Sequence, residues 1–287
     1  MRKRMISLLC VFALCLTLLP STAWAAGSAY TESTDEDTDT TTYTFTTFHN
    51  VNAGDNYGAQ EFHVDAGTNV VLDFTHVPQS EVTDASFILD LTEDNLTVTV
   101  KGDPAVDYGN SDITIYSEPY GEKRSVTLNL VDFQTDGTVT NSTNDETHPF
   151  KVSFDGACRV GTITADYLEL SAADDAASLR LESSLWDGGA LTMNGGTYQM
   201  GYHYISYPQV TIKDANITFS QGSGSTFDLR YIQAEQLTIE NSTIQGVANV
   251  YSVERHGEEY KETFADSSIT VKNSTITYAE DMNTSYY

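Results

Sequence analysis

LTMNGGTY (191–198), VTIKDANI (210–217), LTIENSTI (237–244) and ITVKNSTI (269–276) align without a gap. The first place holds Leu191, Val210, Leu237 and Ile269, and the third holds Met193, Ile212, Ile239 and Val271. Between them stands Thr192, Thr211, Thr238 or Thr270. Hydrophobe in and Thr out is the period of two that a pleated strand requires. The fifth place holds Gly195, Asp214, Asn241 and Asn273, residue types that accept positive φ at low cost. A small residue follows (Gly196, Ala215, Ser242, Ser274), and a large side chain returns at the eighth place (Tyr198, Ile217, Ile244, Ile276). Strand, one-residue bend, strand is the corner of a parallel β-solenoid, repeated once per coil.

The copies start 19, 27 and 32 residues apart, so the wall is kept while the connections vary. A hairpin meander would place short Asn-Gly or Asp-Gly turns there instead. These residues resemble the right-handed parallel β-helix of the pectate-lyase-like superfamily, whose corner Asn residues stack as a ladder. More narrowly, they resemble secreted β-helix surface proteins of Gram-positive bacteria. The resemblance implies an all-β fold with Gly195, Asp214, Asn241 and Asn273 as the ladder. It implies a scaffold and no particular activity.

Working outward, the chain opens MRKRMISLLCVFALCLTLLPSTAWAA. A basic start, an apolar run and Ala23-Trp24-Ala25 read as a secretory signal peptide over 1–25. The run is too short for a comfortable membrane span, so no membrane insertion is expected after cleavage. The expected location is secreted or at the cell surface. Removing Arg2, Lys3 and Arg4 leaves 11 basic residues against 41 acidic ones, a net charge of −30. That surface repels nucleic acid and anionic polysaccharide. Calcium is permitted as a bridge to an anionic ligand but not required; no cofactor is otherwise implied. Cys158, alone after cleavage and flanked by small residues, reads as a small buried hydrophobe.

Residues 26–42, acidic and Thr-rich, read as a disordered linker. The β-helix is expected over 43–287, with 43–95 as its N-terminal cap region; a separate sandwich over 43–150 is the runner-up. VTLNLVDFQTDG (126–137) is a degraded copy of the motif, with Asp132 at the bend. About nine coils are expected from residue 60 onward, in a rod on the order of 40 Å long. The last copy stops with no visible cap. Either the final residues fold over that edge, or another molecule does through end-to-end self-association, or the chain is a fragment.

Inverting glycosidases need two carboxylates about 6.5–9.5 Å apart. Asp174 and Asp175 are the acidic pair considered for catalysis, but SAADDAAS also reads as a solvated turn, and that reading is preferred. His63 and Asp65 share a strand face without a visible third metal ligand. In TYQMGYHYISYP (197–208), four tyrosines crowd together close to Trp186. Trp186, Tyr202 and Tyr204 are the candidate ligand-binding residues, because aromatic faces with polar edges suit sugar rings. The competing reading has the tyrosines covering the solenoid. The expectation is a non-enzymatic protein acting in adhesion or binding neutral glycans or host or cell-surface glycoconjugates. A polysaccharide lyase or glycoside hydrolase on the same scaffold is the rival.

Overall fold

Period-two patterning commits each copy to a strand, and burying every other side chain fixes how neighbouring copies align, since a one-residue slip would turn the hydrophobes outward. In the computed structural model, which describes residues 29–51, 60–117, 119–201, 203–220, 230–252 and 267–279, the copies pair in parallel. Leu191, Val210, Leu237 and Ile269 lie opposite one another in successive strands, as do the four threonines. The molecule is all-β, with long sheets of parallel strands stacked as in a β-solenoid.

Four sheets form the walls. The longest has eleven strands, from Tyr30–Asp35 to Ser268–Lys272. The second arms of the motif, Thr197–Met200, Asn216–Phe219, Thr243–Val247 and Thr275–Tyr278, join Ala157–Val160 and Ser178–Leu181 in a six-stranded sheet. A five-stranded sheet runs from Glu61–Ala66 to Thr162–Thr164. A four-stranded sheet follows it: Leu185–Trp186, Ile205–Ser206, Tyr231–Ala234 and Asn249–Ser252.

Between the first two sheets the backbone turns through positive φ: +48° at Asp132, +66° at Gly195, +52° at Asp214, +49° at Asn241 and +48° at Asn273. Asn241 Nδ2 donates to Asp214 Oδ1 at 3.0 Å, and Asn273 Nδ2 donates to Asn241 Oδ1 at 3.3 Å. Inside this corner, the Ser242 hydroxyl accepts from the Ala215 amide at 3.1 Å, and the Ser274 hydroxyl from the Ser242 amide at 3.0 Å. The small sixth place thus carries its own coil-to-coil contacts.

Two expectations need correction. The segment read as a linker contains Tyr30–Asp35, which pairs antiparallel with Thr40–Phe45 at the head of the longest sheet. Alternating Thr41, Tyr43 and Phe45 against Thr40, Thr42 and Thr44 is strand patterning that an acidic, Thr-rich composition conceals. The parallel stack accordingly begins at Thr40–Phe45, so 43–95 is stack rather than cap, and the antiparallel strand occupies the end. No separate sandwich is present among the described residues, because one sheet runs through both halves. The expected signal peptide lies outside the described residues.

The core changes character along the stack. Toward the N-terminal end it is aromatic: Phe45, Phe48, Phe62, Phe74 and Phe87 contact one another edge-to-face or tilted, at ring-centroid distances of 4.7–6.4 Å. Toward the other end it is built from Leu191, Met193, Val210, Ile212, Leu237 and Ile239. At the last described coil the inward positions lose their cover. Leu237 and Ile239 are 1% and 0% exposed, whereas Ile269 and Val271, opposite them, are 46% and 45% exposed.

Candidate functional site

Alternation on the four-stranded sheet sends Leu185, Ile205 and Ile232 into the core, and therefore Trp186, Tyr204, Tyr231 and Gln233 outward. Trp186 is opposite Ser206, which is opposite Gln233, which is opposite Tyr251. Tyr204 precedes Ser206 by two residues and so shares its face. Its ring stacks on Tyr231 at 4.7 Å and 6°, and Tyr231 meets Tyr251 at 5.5 Å. The Tyr251 hydroxyl donates to Gln233 Oε1 at 3.3 Å. The result is a file of three tyrosines beside Trp186, which is 57% exposed.

The tyrosine cluster read from the sequence divides. Tyr198 and Tyr207 are core residues whose hydroxyls donate to the carbonyls of Leu170 and Ala165, both at 3.2 Å. Burial pushes both hydroxyls far above the ordinary tyrosine range. Tyr204 is half-buried on the outer face, with one ring face covered by Tyr231. Tyr202 lies outside the described residues. Tyr231 and Tyr251 were missed, although a signal existed: Tyr204-Ile205-Ser206 and Tyr231-Ile232-Gln233 are 27 residues apart, the same interval that separates the copies at Val210 and Leu237.

Around the corner from Trp186, a shallow groove of about 230 Å³ opens on the longest sheet. Tyr167, Ala190 and Gln209 lie opposite one another on its floor, with Glu169 opposite Thr192 beside them. Glu146 and Pro149 from the preceding turn and Pro208 from the following corner form its sides. Small residues make the depression: Gly188 has open space where a side chain would stand, and Ala190 is short. Gly189 has a different task, letting the coils approach closely, since a Cβ there would meet the Asp166 carbonyl at 2.2 Å. Glu169 also faces Lys151 on the adjacent strand, at 4.0 Å.

Asp174 and Asp175 are exposed in the turn before Ser178–Leu181. Asp174 Oδ1 accepts the amides of Ala176 and Ala177, both at 2.9 Å, which is the work of a turn. His63 is 3.7 Å from Glu61, and no group of three or more His, Cys, Asp or Glu among the described residues is arranged to hold a metal. Cys158 is buried, and that burial raises its thiol to about 11. Comparison with known protein families, curated proteins and solved structures found no match to this chain.

Proposed function

We propose that this chain is an exported, non-enzymatic protein of the cell surface or surrounding medium that binds glycans, as an adhesin does. One observation carries the reading: Trp186, well exposed, stands on the same outer wall as the stacked file of Tyr204, Tyr231 and Tyr251. Because Tyr204 and Tyr231 cover one another, the free stacking surface is the Trp186 indole, and the tyrosines supply a rigid rail of ring edges and hydroxyls alongside. A sugar ring stacked on the indole, with its hydroxyls on that rail, is recognition by an aromatic face with polar neighbours. Each such ring contributes on the order of 1 kcal/mol, so single-site binding is weak, in the millimolar to tens of micromolar range. Neutral glycans or host glycoconjugates are favoured over uronates and sulfates, because 41 acidic residues repel anions. The same charge disfavours nucleic acid. Calcium enters only as an optional bridge.

The scaffold reading is a right-handed β-helix of the pectate-lyase-like kind, in which Gly195, Asp214, Asn241 and Asn273 act as a corner ladder. The coil-to-coil amide contacts of Asn241 and Asn273 support it. The half-exposed last coil is the place for end-to-end self-association.

A glycan array probed with the chain lacking residues 1–25, with and without calcium, tests the function. Trp186→Ala is expected to weaken binding about tenfold or more, and Tyr204→Ala to weaken it less, each with a nearly unchanged melting temperature. Retention of full binding by Trp186→Ala removes the site.

A further inference from the structure

We infer that the groove beside Trp186 is a subsite for a sugar bearing a free amine, so the preferred ligand is a de-N-acetylated amino-sugar oligomer. The inference rests on the glycan-binding reading and adds the charge of the ligand.

Three features bear on the ligand. The first is shape: Gly188 and Ala190 leave a depression large enough for one ring-sized group, around the corner from an exposed indole. An oligomer that stacks on Trp186 and follows the chain round that corner would bring a further unit to the groove. The second is chemistry: Glu146 and Glu169 put carboxylates on the lining and Thr192 and Gln209 add neutral hydrogen-bonding groups, while the nearest cation, Lys151, reaches Glu169 from the adjacent strand. An ammonium group finds charge-assisted acceptors on this lining, whereas an N-acetyl group would bring bulk and no charge. The third is competition: Lys151 already faces Glu169 at 4.0 Å, and both side chains are about half-exposed, so this cation pair is weak and replaceable. A ligand amine takes the place of the Lys151 ammonium at Glu169.

The test measures binding of trimers of glucosamine, N-acetylglucosamine and glucose, and of trilysine, to four proteins: wild type, Glu146→Gln/Glu169→Gln, Lys151→Met and Trp186→Ala. Wild type is expected to bind the glucosamine trimer about tenfold more tightly than the N-acetylated or neutral trimers. The double Gln variant is expected to lose that preference while keeping its weak binding of neutral trimers. It removes only two of 41 acidic residues, so a general attraction of the acidic chain for cations would survive it almost undiminished. Lys151→Met is expected to strengthen glucosamine binding two- to threefold, an effect that a merely structural role for Glu169 does not produce. If all three sugars bind equally, or the double variant keeps the preference, the amine subsite is wrong and the glycan reading stands. If trilysine binds as tightly as the glucosamine trimer and Trp186→Ala leaves both unchanged, the site recognises charge without sugar and the inference falls. If none of the sugars binds, both readings fall.

Discussion

Asn241 shows how a single position is held from two directions. Its backbone sits at φ +49°, and its side chain bridges Asp214 and Asn273. A β-branched residue at such a φ is strained by roughly 1–2 kcal/mol. Because Asn241 is exposed, its lost side-chain contacts add little. Asn241→Val is thus expected to cost about 2 kcal/mol in urea unfolding, and Asn241→Gly, which relieves the φ strain, clearly less. Equal losses would mean that the φ is not what selects Asn. A second residue-level prediction concerns acid. Burial pushes the Asp107 carboxyl up, but the Arg159 guanidinium at 2.6 Å and the Gly109 amide outweigh it and hold the group below the ordinary carboxylate range. A carboxyl depressed in the folded state contributes stability that is present above its unfolded value of about 3.9 and is lost as pH falls through the folded value. Asp107 is about half-exposed, so screening limits the effect to well under 1 kcal/mol. Asp107→Asn is expected to lower the melting temperature near neutrality and to flatten its decline below pH 4; an unchanged acid profile overturns this. Cys158, buried and held protonated, is expected to resist maleimide in the native protein and to react at once in urea.

Strands that look alike in sequence differ in what covers them. Ile239 and Val271 occupy the same place in LTIENSTI and ITVKNSTI and lie opposite each other, yet only Ile239 is sealed. Ile239→Ala is expected to cost 2–5 kcal/mol (about 3) and Val271→Ala under about 1 kcal/mol, read from denaturant midpoints. Comparable losses would mean that the last coil is covered in solution. The walls containing these strands were legible because hydrophobe-Thr-hydrophobe and a φ-tolerant residue recur at equal offsets; even the degraded copy at Asp132 takes the same positive φ. The hairpin of Tyr30–Asp35 and Thr40–Phe45 was not legible, since its outer strand buries almost nothing and composition alone looks unfolded. Of the candidate site, Trp186 could be read from its alternation with Leu185. The division of the tyrosines could not be read without knowing which coil each joins. The groove owes its depth to Gly188 and Ala190, and a sequence does not announce the shape that missing side chains leave behind.

At the scale of the whole molecule, ten parallel strands of the longest sheet follow one antiparallel strand, giving a stack on the order of 45 Å tall. Its −27 formal charge keeps such stacks apart in solution, while the two strands of the last described coil, Ser268–Lys272 and Thr275–Tyr278, carry Lys272 as their single charged side chain. The direction of the hydrogen bonds has a further consequence. They point along the stack and the strands run across it, so tension applied to the two ends opens them a coil at a time instead of shearing a whole sheet. Each coil holds its neighbours only, which makes the rod a spool. The motif intervals of 19, 27 and 32 residues correspond to roughly 60–110 Å of chain per release. Stretched singly in a force clamp, the protein is expected to lengthen in unequal steps of that size, beginning at the half-exposed Ile269 and Val271 and reaching the phenylalanine-filled end last. One abrupt extension of the entire chain would contradict this. A rod built this way absorbs the energy of a tug by paying out line, and the coils carrying Tyr251, Tyr231, Tyr204 and Trp186 are released soon after the last described one, before the phenylalanine-filled end is reached.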